Sequence, residues 1–414
     1  MLARGLVAAL EAPGRAPEGD LGLTHGFHTY PARMHPTTAR ALLGVVAGPD
    51  RVLLDPFCGS GTVLVEARRQ GARAIGVDLN PLAIAIARAK VWAAPGARRN
   101  ELARVADEIA GAALAAGKAA RRATVETSPL RGPGGERGRS RDRRIGEWFA
   151  PHVRREIEFI AGAIDEVRRG DAELAGMLDI ALSSILYKVS RRASDTDPTR
   201  VDRKVARGAA ARLLRERIPL LDRGLAELDR TARHPVTLYQ GDARALTELG
   251  IAPGSVHAVV TSPPYAGTYD YADQHQLRLD FFNMPSAALR TGEIGARRSF
   301  TGTDATGKRP DRAAAVRQWE RDLGDALSAI SKALAPGGRA AIMLGDSIAG
   351  AGIVLADQIM TVALPDGLEM VAWAWQERPK LGAERRAFVD RPKREHIFLL
   401  QRAPFDELRV HGSI

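Results

Sequence analysis

Thr261-Ser262-Pro263-Pro264-Tyr265 gathers hydrogen-bond acceptors and a flat ring within five positions. Two consecutive prolines remove two backbone donors and hold the chain extended, leaving carbonyl oxygens turned outward. A serine oxygen and a proline carbonyl can both accept hydrogen bonds from one exocyclic amino group. That pair pulls the nitrogen out of planar conjugation and exposes its lone pair as a nucleophile. Tyr265 offers a face on which a base removed from its helix can stack. The plainer alternative is a strand-ending turn with an incidental tyrosine.

A second constellation lies earlier in the chain. Asp55-Pro56-Phe57-Cys58-Gly59-Ser60-Gly61-Thr62 is a glycine-rich turn, and Asp78 follows Asp55 by 23 positions. Glycines let backbone approach a ligand closely. A carboxylate ending the next strand is placed to hydrogen-bond both hydroxyls of a ribose. The turn lacks Gly-Lys-Ser/Thr, so it is not a triphosphate loop, and it lacks the full G-x-G-x-x-G fingerprint. Alone it could be an ordinary tight turn; with Asp78 it reads as a nucleoside site. Cys58 lies inside this turn with no Pro-Cys motif, which makes it structural rather than a nucleophile. His275 reads as a hydrogen-bonding helix histidine, and Trp373 and Trp375 as core residues of a strand. None of the nine histidines forms a metal-spaced pair, so no metal is expected.

These residues need strands to hold them. Val52–Leu54, Ala74–Val77, Val236–Tyr239, His257–Val260, Arg339–Leu344, Met370–Trp375 and His396–Leu400 are short apolar runs ending in turns. They predict seven strands, the last two pairing as an antiparallel edge. Val63–Arg69 and Leu82–Lys90 have helical character, with Pro81 at a first-turn position. Apolar strands alternating with helices predict a mostly parallel, Rossmann-like α/β sheet. Between residues 99 and 233 the pattern turns helical. Val153, Ile157, Ile160, Ile164 and Val167 mark one apolar face. Leu174, Leu178, Leu182 and Ile185 mark a second, and Leu214, Ile218, Leu221, Leu225 and Leu228 a third. Residues 126–147 are rich in Arg, Gly, Pro and Ser and read as a basic loop. The expected organisation is an N-terminal segment (1–48), a split catalytic domain (49–98 and 234–404), a helical insertion (99–233) and a tail (405–414).

The chain has 414 residues, 45% of them hydrophobic and 26% charged, a globular composition. One cysteine excludes a disulfide framework and a multi-cysteine zinc site. No apolar run reaches the ~20 residues of a membrane span. The apolar patch Leu6–Leu10 is broken by Glu11, a poor signal peptide, so a cytoplasmic setting is expected. The net charge of +11 suits a polyanionic partner such as nucleic acid. Only eight of the 60 basic residues are lysines, however, and that bias toward arginine equally suits drift in a GC-rich genome.

Asp55–Thr62 together with Thr261–Tyr265 resembles the amino-group DNA methyltransferases that use S-adenosylmethionine. Ser-Pro-Pro-Tyr is similar to their N4-cytosine branch, whereas Asp-Pro-Pro-Tyr is commoner among N6-adenine enzymes. His28-Thr29-Tyr30-Pro31-Ala32-Arg33-Met34-His35-Pro36 resembles the family segment that packs over the methionine part of the cofactor. Gly241-Asp242-Ala243 resembles the turn beside the cofactor adenine, and Tyr269-Asp270-Tyr271 the continuation after the catalytic motif. The resemblance implies a seven-stranded class I methyltransferase fold. It implies a cofactor site built from His28, Tyr30–Arg33, Asp55–Thr62, Asp78, Leu79, Asn80, Asp242 and Ala243, with Ser262–Tyr265 catalytic. The motif order implies that the insertion reads the target. Lys188, Arg191, Arg192, Asp195 and Arg200 of the insertion, and Tyr269 and Tyr271 after the catalytic motif, are the candidate DNA contacts, although a solvated helix end explains the first five as well. Double-stranded DNA is the implied partner, with a restriction endonuclease as an optional companion and no membrane. N6-adenine methylation, amino-group methylation of RNA, and an inactive DNA-binding module on the same fold are the competing readings.

Overall fold

The computed structural model describes residues 2–15, 22–46, 51–123, 147–194, 197, 199–302, 311–350 and 352–404. Most of the Arg/Gly-rich loop, Asp195 and the 405–414 tail lie outside the described residues. Seven strands form one sheet: β1 (Val52–Asp55), β2 (Arg73–Asp78), β3 (Val236–Gln240), β4 (Val256–Thr261), β5 (Leu334–Gly345), β6 (Leu368–Glu377) and β7 (Arg394–Arg402). Their order is β3-β2-β1-β4-β5-β7-β6. β1 to β5 pair in parallel, and β7 runs antiparallel between β5 and β6. The two closing strands are thus antiparallel to each other at one edge, with β6 outermost. A small ribbon, Ser347–Ala349 with Gly352–Val354, is a feature the apolar runs did not mark.

Alternation divides the sheet's side chains between two cores. Leu53 faces one layer and Leu54 the other. Leu54, Val77 and Val259 pack with α9 (Arg312–Ala333) and α10 (Ala356–Ala363). The opposite core takes α1 (Leu2–Glu11), α2 (Pro36–Val46), α3 (Thr62–Arg69) and α4 (Pro81–Lys90). It continues without a break into α5 (Gly96–Ala123), α6 (Pro151–Gly170), α7 (Ala172–Val189) and α8 (Ala209–Asp229). The insertion is therefore a third helical layer built onto the sheet rather than a lobe on a stalk.

Local sequence explains the helix starts. Asn80 caps α4 by accepting from the Leu82 N–H at 3.0 Å, with Pro81 at the first turn. Asp171 caps α7 by accepting from the Leu174 N–H at 2.9 Å. Fourteen of the 18 residues of α7 are buried, which makes it the central rod of the insertion. Buried Arg68 of α3 donates to the Trp92 carbonyl at 3.0 Å and to Asp229 of α8 at 2.6 Å, clamping insertion to sheet.

One expectation about the core fails. Trp373 and Trp375 are 40% and 43% exposed. They sit on the edge strand, where Ala374 takes the inward position and both indoles point the other way.

Candidate functional site

The sheet order reverses at β1, between β2 and β4, and a crevice opens beyond the carboxyl ends of these strands. Its wider lobe is lined by Tyr30, Ala32, Pro56, Phe57, Gly59, Asp78, Leu79, Asn80, Gly241, Asp242, Ala243, Ser262 and Pro264. Its smaller lobe shares Tyr30, Ala32, Phe57, Gly59 and Ser262 and adds Arg33, Met34, Asp55, Cys58, Ser60 and Thr62. The two separate motifs of the sequence thus meet at one cleft.

The glycines act where the chain turns. Gly61 has φ +83°, and a Cβ there would lie 3.0 Å from the Ala87 Cβ of α4. Ala32 holds φ +54° without being glycine, so the wall shared by both lobes is a strained backbone.

Asp78 is fixed by two backbone donors, Gly59 N–H and Asn80 N–H, each at 2.8 Å. Each oxygen keeps a further lone pair, and Asp78 borders the wide lobe, an arrangement suited to a vicinal diol. Burial raises its pKa to about 6 against the opposing pull of those two N–H groups. Asp55 accepts from the Thr261 hydroxyl at 2.6 Å, which ties the glycine turn to the strand that runs into Ser262–Tyr265. Burial pushes its pKa to about 7. Asp242 is held by the Arg244 side chain and backbone N–H, and Arg244 also binds Asp322.

Behind the smaller lobe, Lys90 is fully buried and donates to Ser60 Oγ at 3.1 Å. It meets no carboxylate among the described residues, and burial, then Arg33, lowers its pKa to about 7. The Thr62 hydroxyl oxygen is buried without a hydrogen-bond partner. A buried amine behind a serine, with the Arg33 guanidinium at the rim, suits an anionic group such as a carboxylate, whose charge would favour the protonated lysine.

At the end of β4, Trp319 donates its indole N–H to the Pro264 carbonyl at 3.0 Å. The Tyr265 hydroxyl donates to Glu395 at 2.6 Å, and Ser262 Oγ lies 3.4 Å from that same hydroxyl. Tyr265, Pro263, Gly61, Pro31 and His28 do not line either lobe. His28 points the other way, with its Nε2 3.0 Å from Ser183 of α7. Burial then holds its pKa well below 6.5. It joins the segment to the insertion instead of touching the cleft.

Three sequence-based expectations change. His275 is buried with neither ring nitrogen hydrogen-bonded; its ring stacks on Tyr30 at 4.7 Å and backs the cleft wall. Burial drops its pKa to about 3, so it stays neutral. Arg192 is 3% exposed with its guanidinium over the Trp148 and Tyr187 rings, which leaves it no groove to contact. Tyr271 lines the wide lobe, while Tyr269 sits beside it with ring centroids 5.6 Å apart. Lys188 and Arg200 are exposed, and Arg191 is partly exposed. The motifs gave no warning of Leu289, Gly292, Glu293 and Ile294, which close the wide lobe. Glu293 accepts from the Tyr271 backbone N–H and from Arg298 at 2.7 Å. Spacing offered no signal for it, because residues 271–301 reach the cleft only through tertiary packing.

The sheet is mixed, seven-stranded and mostly parallel, with the cleft at its switch point, as in the class I methyltransferase fold. Residues 27–128 match a family model described as UPF0020: RMKL-like, methyltransferase domain. The chain is 42% identical over 71 residues to the type II methyltransferase M.MvaI of Kocuria varians, covering 16% of each protein. It is 48% identical over 54 residues to the tRNA (guanine(10)-N2)-dimethyltransferase of Methanothermobacter thermautotrophicus, covering 12% of this chain and 16% of that one. The crystal structure of TrmN from Thermus thermophilus aligns with 13% identity and a TM-score of 0.33, covering 89% of this chain and 48% of that one. The chain thus spans 16% of the length of each of these two curated relatives. No helix among the described residues is long and apolar enough to cross a membrane, and no group of three or more metal-ligating side chains occurs among them.

Proposed function

We propose that the chain is an S-adenosylmethionine-dependent methyltransferase acting on the exocyclic N4 amino group of a cytosine flipped out of double-stranded DNA. The observation that carries this reading is the position of Ser262, which borders both lobes of the cleft that Asp78 also lines. When bound, S-adenosylmethionine supplies an electrophilic methyl group on its sulfonium sulfur. Asp78 accepts hydrogen bonds from the ribose hydroxyls, and Asp242 and Ala243 border the adenine end. Arg33, Thr62 and Ser60, with Lys90 behind it, receive the amino-acid end.

Ser262 Oγ and a proline carbonyl accept the two amino N–H groups of the target base. Trp319 already donates to the Pro264 carbonyl, and the Pro263 carbonyl, outside both lobes, is the acceptor assigned to a base entering beside Ser262. That pairing would expose the nitrogen lone pair to the methyl donor, S-adenosylhomocysteine would be the leaving group, and the charged amine would then lose its proton to water or through Ser262. Flipping the base costs a few kcal/mol, offset by aromatic stacking and hydrogen bonds in the pocket. The helical layer 99–233 serves as the reader of target sequence, with exposed Lys188 and Arg200 available to phosphates.

Methylation of RNA is the second reading, supported by the 48% identity to a tRNA methyltransferase. Incubation with labelled S-adenosylmethionine and DNA or RNA, followed by mass spectrometry of nucleosides, separates the two. N4-methylcytosine in DNA is the expected product, and label confined to RNA overturns the DNA reading.

A further inference from the structure

Residues 378–394, the connection from β6 together with the first residue of β7, carry seven basic and two acidic side chains. The strand register fixes where this segment lies. Glu377 pairs with Arg394, and Glu395 pairs with Gly345 at the end of β5. The segment therefore leaves the sheet at the carboxyl end, where Thr261 of β4, beside Ile342 of β5, runs into the Ser-Pro-Pro-Tyr turn. Glu395 closes the gap directly: it accepts from the Tyr265 hydroxyl at 2.6 Å and also binds Arg378.

The segment is braced by its own hydrogen bonds, among them Arg385 donating to the Lys380 carbonyl at 3.3 Å. Asp346 accepts the Arg394 N–H at 2.9 Å, Lys393 pairs with Glu384 at 2.6 Å, and Lys380 donates to the Phe388 carbonyl at its base. Phe388 is fully buried as an anchor. Arg385, Arg386 and Arg391 are exposed, and none makes an ion pair among the described residues. On the edge strand β6, Trp375 is 43% exposed with the Arg394 guanidinium 4.0 Å over its ring. A positively charged rim beside the acceptor turn matches the charge of a phosphodiester backbone.

We propose that the β6–β7 segment is a phosphate-contacting surface that holds the DNA strand carrying the target base beside Ser262–Tyr265. This rests on the nucleic-acid reading above and assigns strand positioning to a place other than the helical layer. Its charge works without reading sequence, because phosphate contacts fix register while base edges specify.

The test is the triple variant Arg385→Ala, Arg386→Ala, Arg391→Ala in the full chain, compared with wild type. Fluorescence anisotropy with a mixed-sequence DNA duplex is measured across a salt series, alongside S-adenosylmethionine affinity and Tm. The expected result is at least about a tenfold loss of DNA affinity at low salt, with cofactor affinity and Tm unchanged. The slope of log K against log salt should flatten by about 0.9 for each phosphate that is no longer neutralised. The matching triple substitution to lysine should retain binding, since a phosphate accepts either cation. Wild-type methylation of DNA with an unchanged slope in the alanine variant overturns the surface alone and leaves a solvated loop. Wild type that neither binds nor methylates DNA overturns the functional reading and the surface together.

Discussion

Asp78 shows how one side chain can be prepared for a ligand by its backbone. Two N–H groups at 2.8 Å hold its carboxylate, yet burial raises its pKa to about 6. The ionised form is the one that accepts from a ribose diol, so cofactor affinity should fall as pH drops through 6. Calorimetry should find binding about tenfold weaker at pH 5 than the plateau near pH 8. Asp78→Asn should bind weakly throughout and lose that dependence; a wild-type affinity flat from pH 5 to 8 would remove the assignment. Ser262 tests the other half of the site. Ser262→Ala should lower kcat by roughly 10²–10³ while changing cofactor affinity little, the scale for losing one hydrogen bond at a reacting centre. An equal loss in cofactor binding would make Ser262 part of the cofactor wall only.

At the scale of elements, the ends of β4 and β5 must agree to within a fraction of an ångström. A Cβ on Gly345 would lie 2.7 Å from the Tyr265 ring, so the last residue of β5 has no side chain because the tyrosine lies against it. Gly345→Ala should push Tyr265 off its Glu395 hydrogen bond, and methyl transfer should drop at least about tenfold. Cofactor binding should persist, because Tyr265 lines neither lobe; loss of both in parallel would point to a damaged sheet instead. The short helices of 271–301 illustrate a second kind of positioning. His275 stacks on Tyr30, and Gln274 offers its carbonyl to the Tyr187 hydroxyl of α7 at 2.6 Å. The cleft wall is thus braced from the insertion side.

Across the whole molecule, one continuous core joins the sheet to the helical layer, and the Arg68–Asp229 pair closes their seam. Arg68 is nearly inaccessible, whereas Asp229 is about a third exposed and also binds Arg99. Asp229→Ala would leave a buried guanidinium without its carboxylate. It should cost roughly 3 kcal/mol, the low end for stripping the partner from a buried charge. Denaturant titration reads this as a lower midpoint; an unchanged midpoint with an unchanged slope would make the clamp dispensable. The same continuity explains His28. The family resemblance put it beside the cofactor, but the adjoining helix offers Ser183 and draws the ring into the seam.

Much of this protein follows from local order in the chain. Apolar runs bounded by turns determine the seven strands, and the prolines and glycines determine the two turns that face the cleft, because backbone restriction acts within a few residues. Asp78 is legible for the same reason: a strand end fixes where its carboxylate emerges. Partners distant in sequence are decided only by tertiary packing. Glu395 meets Tyr265 across 130 residues, and Lys90 meets Ser60 across 30. Arg192 belongs to a different physical case, since its charge suggested a phosphate contact until two aromatic faces buried it. Trp373 and Trp375 err in the opposite sense, since hydrophobicity marks a strand but only sheet order tells an edge from a centre. Burial is a property of the assembled layers, and no spacing along the chain encodes it.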